Sequence, residues 1–209
     1  MDKIYQSDSK TETLILQAAI KVFVKKGYEG ASMRQIADLA GINKSLLHYY
    51  FRSKEKLFGI AFQSVFREFF PKVYDMLVSD ESLFNKIQFF VETYIDMLIQ
   101  NKHVPAFIIQ ELNRNPEIVF SLIGQISYNA DLAMKKINEQ IREEVSNGII
   151  KPIKAENLLT NMIALCLFPF IAKPILSFII FNKDEEKYQD FISARKAHVI
   201  NFLISSIRK

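Results

Sequence analysis

Lys44, Ser45 and His48 fall within about 100° of one another on a helix that turns about 100° per residue, with Leu47 and Tyr50 on the opposite side. An ammonium, a small hydroxyl and an imidazole on one face can offer hydrogen bonds to base edges in a DNA major groove, and the serine lets the backbone approach. Tyr49, Tyr50, Arg52 and Lys54 follow and suit phosphate oxygens, because a phenol donates one hydrogen bond and a cation brings charge. Lys54 stands just past Ser53, where its charge would add to the positive end of a helix. With Ser32 and Arg34 upstream, the expected DNA-contacting set is Ser32, Arg34, Lys44, Ser45, His48, Tyr49, Tyr50 and Lys54. A tight helical hairpin in an all-helical core, with a few solvated charges, accounts for the same generic pattern.

Such a face needs a helix held at both ends. Met33, Ile36, Ala37 and Ala40 have the spacing of one apolar helix face, and Ser32 with Gln35 three residues later has the form of a capping box. Gly41 can take the left-handed conformation that stops this helix, and Asn43 can cap the next. Upstream, Ser9 with Glu12 opens a helix that turns Ile15, Ala19, Val22 and Phe23 inward and stops at Gly27.

The order S-M-R-Q-I-A-D-L-A-G-I-N-K-S-L-L-H-Y-Y-F-R-S-K-E-K-L, preceded by an amphipathic helix ending in K-K-G-Y-E-G, resembles the DNA-binding domain of the tetracycline-repressor (TetR) family of bacterial regulators. The likeness covers about residues 10 to 60; the rest matches in length and helical character only. It implies an all-α chain: a three-helix helix-turn-helix head, then an all-helical ligand-binding and dimerisation body. The expected division is residues 1–56 for the head and 57–209 for the body. Leu46 stands where relatives often have a small residue such as threonine, and His48 where a tyrosine is common, so no operator sequence transfers.

Charge points the same way. Residues 1–56 hold 10 Lys and Arg against 6 Asp and Glu, a net of +4, whereas residues 57–209 hold 17 of each. The whole formal excess thus sits on the head, where phosphate binding needs it, although four charges also suit an ordinary surface. At 209 residues and 49% hydrophobic content the chain can build a large core. The single Cys166 cannot form an internal disulfide, and the polar, acidic N-terminus lacks the apolar segment of a secretory signal, so a cytoplasmic location is expected. Residues 157–172 carry no charge, but Asn161, Pro169, Lys173 and Pro174 interrupt the apolar run that a membrane span requires. A buried helix is expected there instead, with no membrane partner.

From Lys54 a helical pattern runs through Phe58, Phe62, Phe66 and Phe69, to be kinked or ended by Pro71. Further helices are expected at about 82–101, 104–113 and 116–146, and a last one at about 186–207. Lys154 stands where an acidic or hydroxyl cap often opens the penultimate helix in relatives, leaving its start open by a few residues. The last helix carries a wide apolar stripe, and with the uncharged helix before it matches the family's four-helix dimer interface. Met162, Cys166, Val199, Phe202 and Leu203 are the expected interface residues of a homodimer. The resemblance also places a small-molecule effector among the middle helices. The expected lining is Phe90, Tyr94, Met97, Phe107, Gln110, Asn113, Phe120 and Tyr128, apolar walls with a few polar groups that suit a hydrophobic or amphipathic ligand.

No catalytic constellation is legible. His48, His103 and His198 stand on separate elements, without a metal-binding spacing or a Gly-rich phosphate loop, and Glu111 near Arg114 reads as a surface ion pair. No cofactor and no enzymatic activity are expected. The reading is a ligand-responsive regulator, a repressor, on a palindromic double-stranded DNA operator. The rival from another class is a helical small-molecule carrier or enzyme that keeps the hairpin only as scaffold, and measured DNA binding separates the two.

Overall fold

Side-chain caps set half of the helix starts in the computed structural model, which describes residues 2–67, 69–126 and 129–209. Ser32, Asn43, Ser53, Ser82, Asn129 and Asp184 each stand in front of a helix, and each side-chain oxygen accepts a backbone N–H three residues on. That acceptor satisfies one of the donors a helix leaves unpaired in its first turn. The described residues form helices and no strand; Ile150 and Arg208 make an isolated bridge. The fold is all-α.

The chain divides into two compact units. The first comprises Met1–Glu68 with Ala106–Ile126, the second Phe69–Pro105 with Ser127–Lys209.

In the first unit α1 (Asp2–Gly30) packs against α2 (Met33–Ala40) and α4 (Lys54–Phe66), while α3 (Lys44–Tyr50) packs on α2. Ile15, Ala19, Phe23, Ile36, Leu47, Phe51, Leu57 and Phe58 fill its centre at 0–2% exposure. The first helix opens at Asp2 rather than Ser9, so Ser9 is an interior helix residue and not a cap. Gly27 does break it as expected, with φ 73° and ψ 171°, a region open to glycine. Helix α7 (Val104–Arg114) contributes Phe107 to the Phe58 ring cluster, and α8 (Pro116–Ile126) packs against α4.

The second unit is built around α6 (Leu83–Gln100), whose Ile87, Val91, Ile95 and Leu98 are 0–1% exposed. Around it lie α5 (Phe69–Val78), α10 (Ala155–Ile171) and α12 (Glu185–Ile207); α9 (Ala130–Ser146) packs on α5 and α10. The short α11 (Lys173–Ile179) buries none of its residues. Two expected helices divide. The pattern from Lys54 ends at Phe66 and restarts at Phe69, so Pro71 sits in the first turn of α5, where its missing N–H costs nothing. The 116–146 segment separates into α8 and α9, the latter capped by Asn129.

Pro169 lies inside α10, and the missing N–H leaves the Leu165 carbonyl without its helical donor. Arg195 of α12 replaces it, its guanidinium donating to that oxygen at 2.9 and 3.3 Å. Lys154 begins α10 without a side-chain cap.

Candidate nucleic-acid interface

The reading pair is defined by reciprocal hydrogen bonds within a few residues. Gln35 N–H donates to Ser32 Oγ at 3.3 Å while Ser32 N–H donates to Gln35 Oε1 at 3.2 Å, completing the capping box at the start of α2. Gly41 ends that helix at φ 69°, and Ile42 N–H returns to the Ala37 carbonyl at 3.1 Å. Asn43 Oδ1 accepts Leu46 N–H at 2.8 Å and starts α3, which Phe51 closes by donating to the Leu47 carbonyl, also at 2.8 Å. Leu47 is 0% exposed and anchors α3 to the core, so the opposite face must look outward.

That face carries Lys44, Ser45, His48 and Tyr49, all exposed, Tyr49 at 77%. Tyr50 is half-buried and meets the Tyr49 ring edge-on at 5.4 Å. Arg34, on α2, and Arg52 are exposed as well. Ser32 is exposed, but its oxygen already serves as the α2 cap. The structure therefore brings Lys44, Ser45, His48 and Tyr49 onto one surface with cations near it. Lys54 is different. Its Nζ donates to the carbonyls of Tyr28 and Ala31 at 3.1 and 3.4 Å and lies 4.4 Å from the Tyr28 ring centroid. Two of its three N–H groups thus tie down the α1–α2 connection, leaving one for a phosphate.

Tyr28 was not among the expected residues, yet four groups converge on it. Besides Lys54, its hydroxyl donates to Glu55 Oε1 at 2.7 Å, its ring meets Phe58 edge-on at 5.0 Å, and its N–H donates to Glu111 Oε1 at 3.0 Å. Burial and the Glu55 carboxylate push the phenol pKa up, and the bond from Tyr28 holds that carboxylate below its usual range. Glu111 is 2% exposed, not the surface partner of Arg114 that its sequence position suggests.

The other expected sites are distributed as follows. Phe90, Tyr94 and Met97 lie in the second unit, where Phe69, Phe90 and Tyr94 form a ring cluster with centroids 5.1–6.2 Å apart. Phe107, Gln110, Asn113 and Phe120 lie in the first, Phe107 buried and Phe120 58% exposed; Tyr128 is outside the described residues. Met162, Cys166, Val199 and Leu203 are 0–2% exposed within the second unit, because their helix face packs on the unit's own core; Phe202 is 56% exposed. Burial pushes the Cys166 thiol up to about 12, which makes it an inert packing group.

Residues 15–59 match the family model for bacterial regulatory proteins of the tetR family, the stretch that contains the capped reading pair. The helix-turn-helix head is thus similar to the DNA-binding domain of that family. The chain is 28% identical over 152 residues to the HTH-type transcriptional repressor NicS of Pseudomonas putida, a match covering 71% of this chain and 63% of that protein. Less than two thirds of NicS is therefore spanned. Against the HTH-type transcriptional regulator YhgD of Bacillus subtilis the identity is 26% over 158 residues, 74% of this chain and 78% of that one. The regulator RutR of Escherichia coli is 46% identical, but over 50 residues, 24% of each chain. Among solved structures, a TetR-family transcription regulator from Marinobacter aquaeolei overlays with a TM-score of 0.65 at 17% identity, covering 98% of this chain and 99% of that one. The fold likeness is thus chain-wide, while sequence likeness concentrates in the head. Among the described residues no single helix is long and apolar enough to cross a membrane.

Proposed function

We propose that this protein is a TetR-family transcriptional regulator, a repressor that binds an inverted-repeat operator as a homodimer and is released by a hydrophobic or amphipathic small molecule. The observation that carries the reading is the outward face of α3, where Lys44, Ser45, His48 and Tyr49 stand on a helix capped at both ends and anchored by buried Leu47. A rigid seven-residue helix with donors on its free side fits a major groove, and the cations around it fit the flanking phosphates. The name of NicS, a transcriptional repressor, supports the direction of control. In this reading residues 1–56 supply the DNA contacts and residues 57–209 the ligand site and the dimer contacts.

Exposed apolar side chains on the second unit support the homodimer. Ile163 and Phe168 of α10 and Phe202 of α12 are 43–56% exposed, beside the buried Met162, Cys166, Val199 and Leu203 of the same helices. A second copy covering them would bring two reading helices into successive grooves, about 34 Å apart. In this reading the Phe69–Phe90–Tyr94 cluster and Met97 of the second unit are apolar side chains that would line the effector site. A ligand that alters the spacing of the two heads loses one half-site and the avidity of linked binding.

Selection of bound duplexes from a random pool tests this reading. Recovery of a palindrome with half-sites one or more helical turns apart supports it, and recovery of single, unpaired half-sites or of no preferred sequence overturns it.

A further inference from the structure

We infer that Glu111 is a positioning residue for DNA reading: from α7 it holds the backbone turn from which the reading pair is built. The break at Gly27 takes Tyr28 out of the helical hydrogen-bond ladder while leaving it 6% exposed, so its N–H needs an acceptor that water does not supply. Glu111 Oε1, 83 residues further along the chain, is that acceptor at 3.0 Å. The second carboxylate oxygen is held by Asn115 Nδ2 at 3.3 Å, which fixes the rotamer from within α7–α8.

Gly27 is shaped to this contact. A Cβ there would lie 3.1 Å from Glu111 Oε1 and 3.1 Å from Arg114 Nη1, so the absence of a side chain lets both charged groups close on the turn. Three residues separate Tyr28 from Ser32, the cap of α2, and Lys54 holds the Tyr28 and Ala31 carbonyls across that stretch. The start of α2 is therefore set by Tyr28, and α3 follows α2 through the Gly41 turn. Glu111 touches no DNA in this arrangement; it acts through the Tyr28 amide.

The inference rests on the DNA-binding reading, so the experiment begins with the intact wild-type protein on the duplex recovered by selection; absence of wild-type binding there counts against that reading and not specifically against Glu111. Glu111→Ala leaves the Tyr28 N–H buried and unpaired, a loss equivalent to about tenfold to hundredfold in an equilibrium constant. The expected result is operator affinity reduced by roughly that factor, with faster hydrogen exchange confined to the amides of residues 28–32. Glu111→Gln keeps an acceptor and should recover most of the affinity, which also serves if the alanine variant does not fold. Leu98→Ala, a destabilising change inside the second unit, controls for general loss of stability. Wild-type affinity in Glu111→Ala overturns the assignment. So does a loss no greater than that of the Leu98→Ala protein at matched melting temperature, or a Glu111→Gln variant that folds and binds as poorly as the alanine one.

Discussion

Helices α3 and α12 each carry a side chain anchored at 0–1% exposure, Leu47 in one and Val199 and Leu203 in the other, yet their opposite faces differ in kind. Across from Leu47 stand polar and charged groups, so α3 has one orientation that buries its apolar residues and leaves the rest in water. On α12 apolar residues continue round from Leu203 to Phe202, about 100° away, and burial alone does not choose between them. The core takes Tyr188, Ile192, Val199, Leu203 and Ile207, and Phe202 is left exposed. A polar face declares itself in a sequence; an apolar one does not say which neighbour covers it.

The most severe way to test that contrast is to place a charge on each side of α12. Leu203→Asp puts an unpaired carboxylate at a site 1% exposed, a penalty of several kcal/mol that is a large share of the roughly 5–15 kcal/mol that stabilises a domain. Loss of the cooperative melt is expected. Phe202→Asp, at a site 56% exposed, should fold normally and, if α12 lies in the homodimer interface, halve the mass measured by light scattering. A Phe202→Asp protein that remains dimeric and binds DNA moves the interface elsewhere.

Gly27→Ala should be the next largest effect. The residue adopts φ 73° and the new Cβ would crowd Glu111 and Arg114, a combination worth about 1–3 kcal/mol of backbone strain before any repacking. Thermal unfolding should register it, together with weaker operator binding. A stability unchanged within a few tenths of a kcal/mol would mean that the turn relaxes freely.

These comparisons show which parts of the molecule were legible beforehand. The caps at Ser32, Asn43 and Ser53, and the stop at Gly41, act over three or four residues, and the sequence carries both partners side by side. Asn129 gave a comparable signal, an amide two residues before Asp131, but the apolar spacing through 116–146 obscured it. Glu111 could not be located in this way. Its partner is 83 positions distant, and a carboxylate three residues from an arginine has the same local pattern whether buried or exposed. Lys54 shows the intermediate case, since its helix N-terminal position was readable while the carbonyls it binds were not.

On the reading face itself, Lys44→Ala and His48→Ala should each cost about 1–3 kcal/mol on the best duplex and far less on random DNA, with preference relaxed at particular base pairs. Proportional loss on both kinds of duplex would assign these side chains to phosphates and shift base reading toward Arg34 or Tyr49. Lys54→Ala should weaken every duplex about equally. If its free N–H meets a phosphate, the magnitude of the salt slope falls by about 1; an unchanged slope with a lower melting temperature confines Lys54 to the Tyr28 turn.

The smallest effect expected is a pH dependence centred on that turn. The Tyr28 phenol is held above its ordinary value of 10.0 by burial first and then by Glu55, so between about 10 and the folded value the native state binds more protons than the unfolded chain. Stability therefore declines as pH rises past about 10, with Tyr94 and Tyr188, also raised by burial, adding to the decline. Glu55 is displaced the other way, chiefly by the Tyr28 hydroxyl, so its contribution is complete above its ordinary value of 4.5 and is lost as pH falls through the lower folded value. Its exposure to water keeps that contribution small. Tyr28→Phe removes the shared hydrogen bond, about 0.5–1.5 kcal/mol at neutral pH, and with it both shifts. The difference in unfolding free energy between wild type and Tyr28→Phe should form a plateau from about pH 5 to 10 and shrink on either side. Urea titrations at several pH values measure it directly. A difference that stays constant across the range would show that the bond is absent in solution and that Tyr28 holds the turn through its ring and backbone alone.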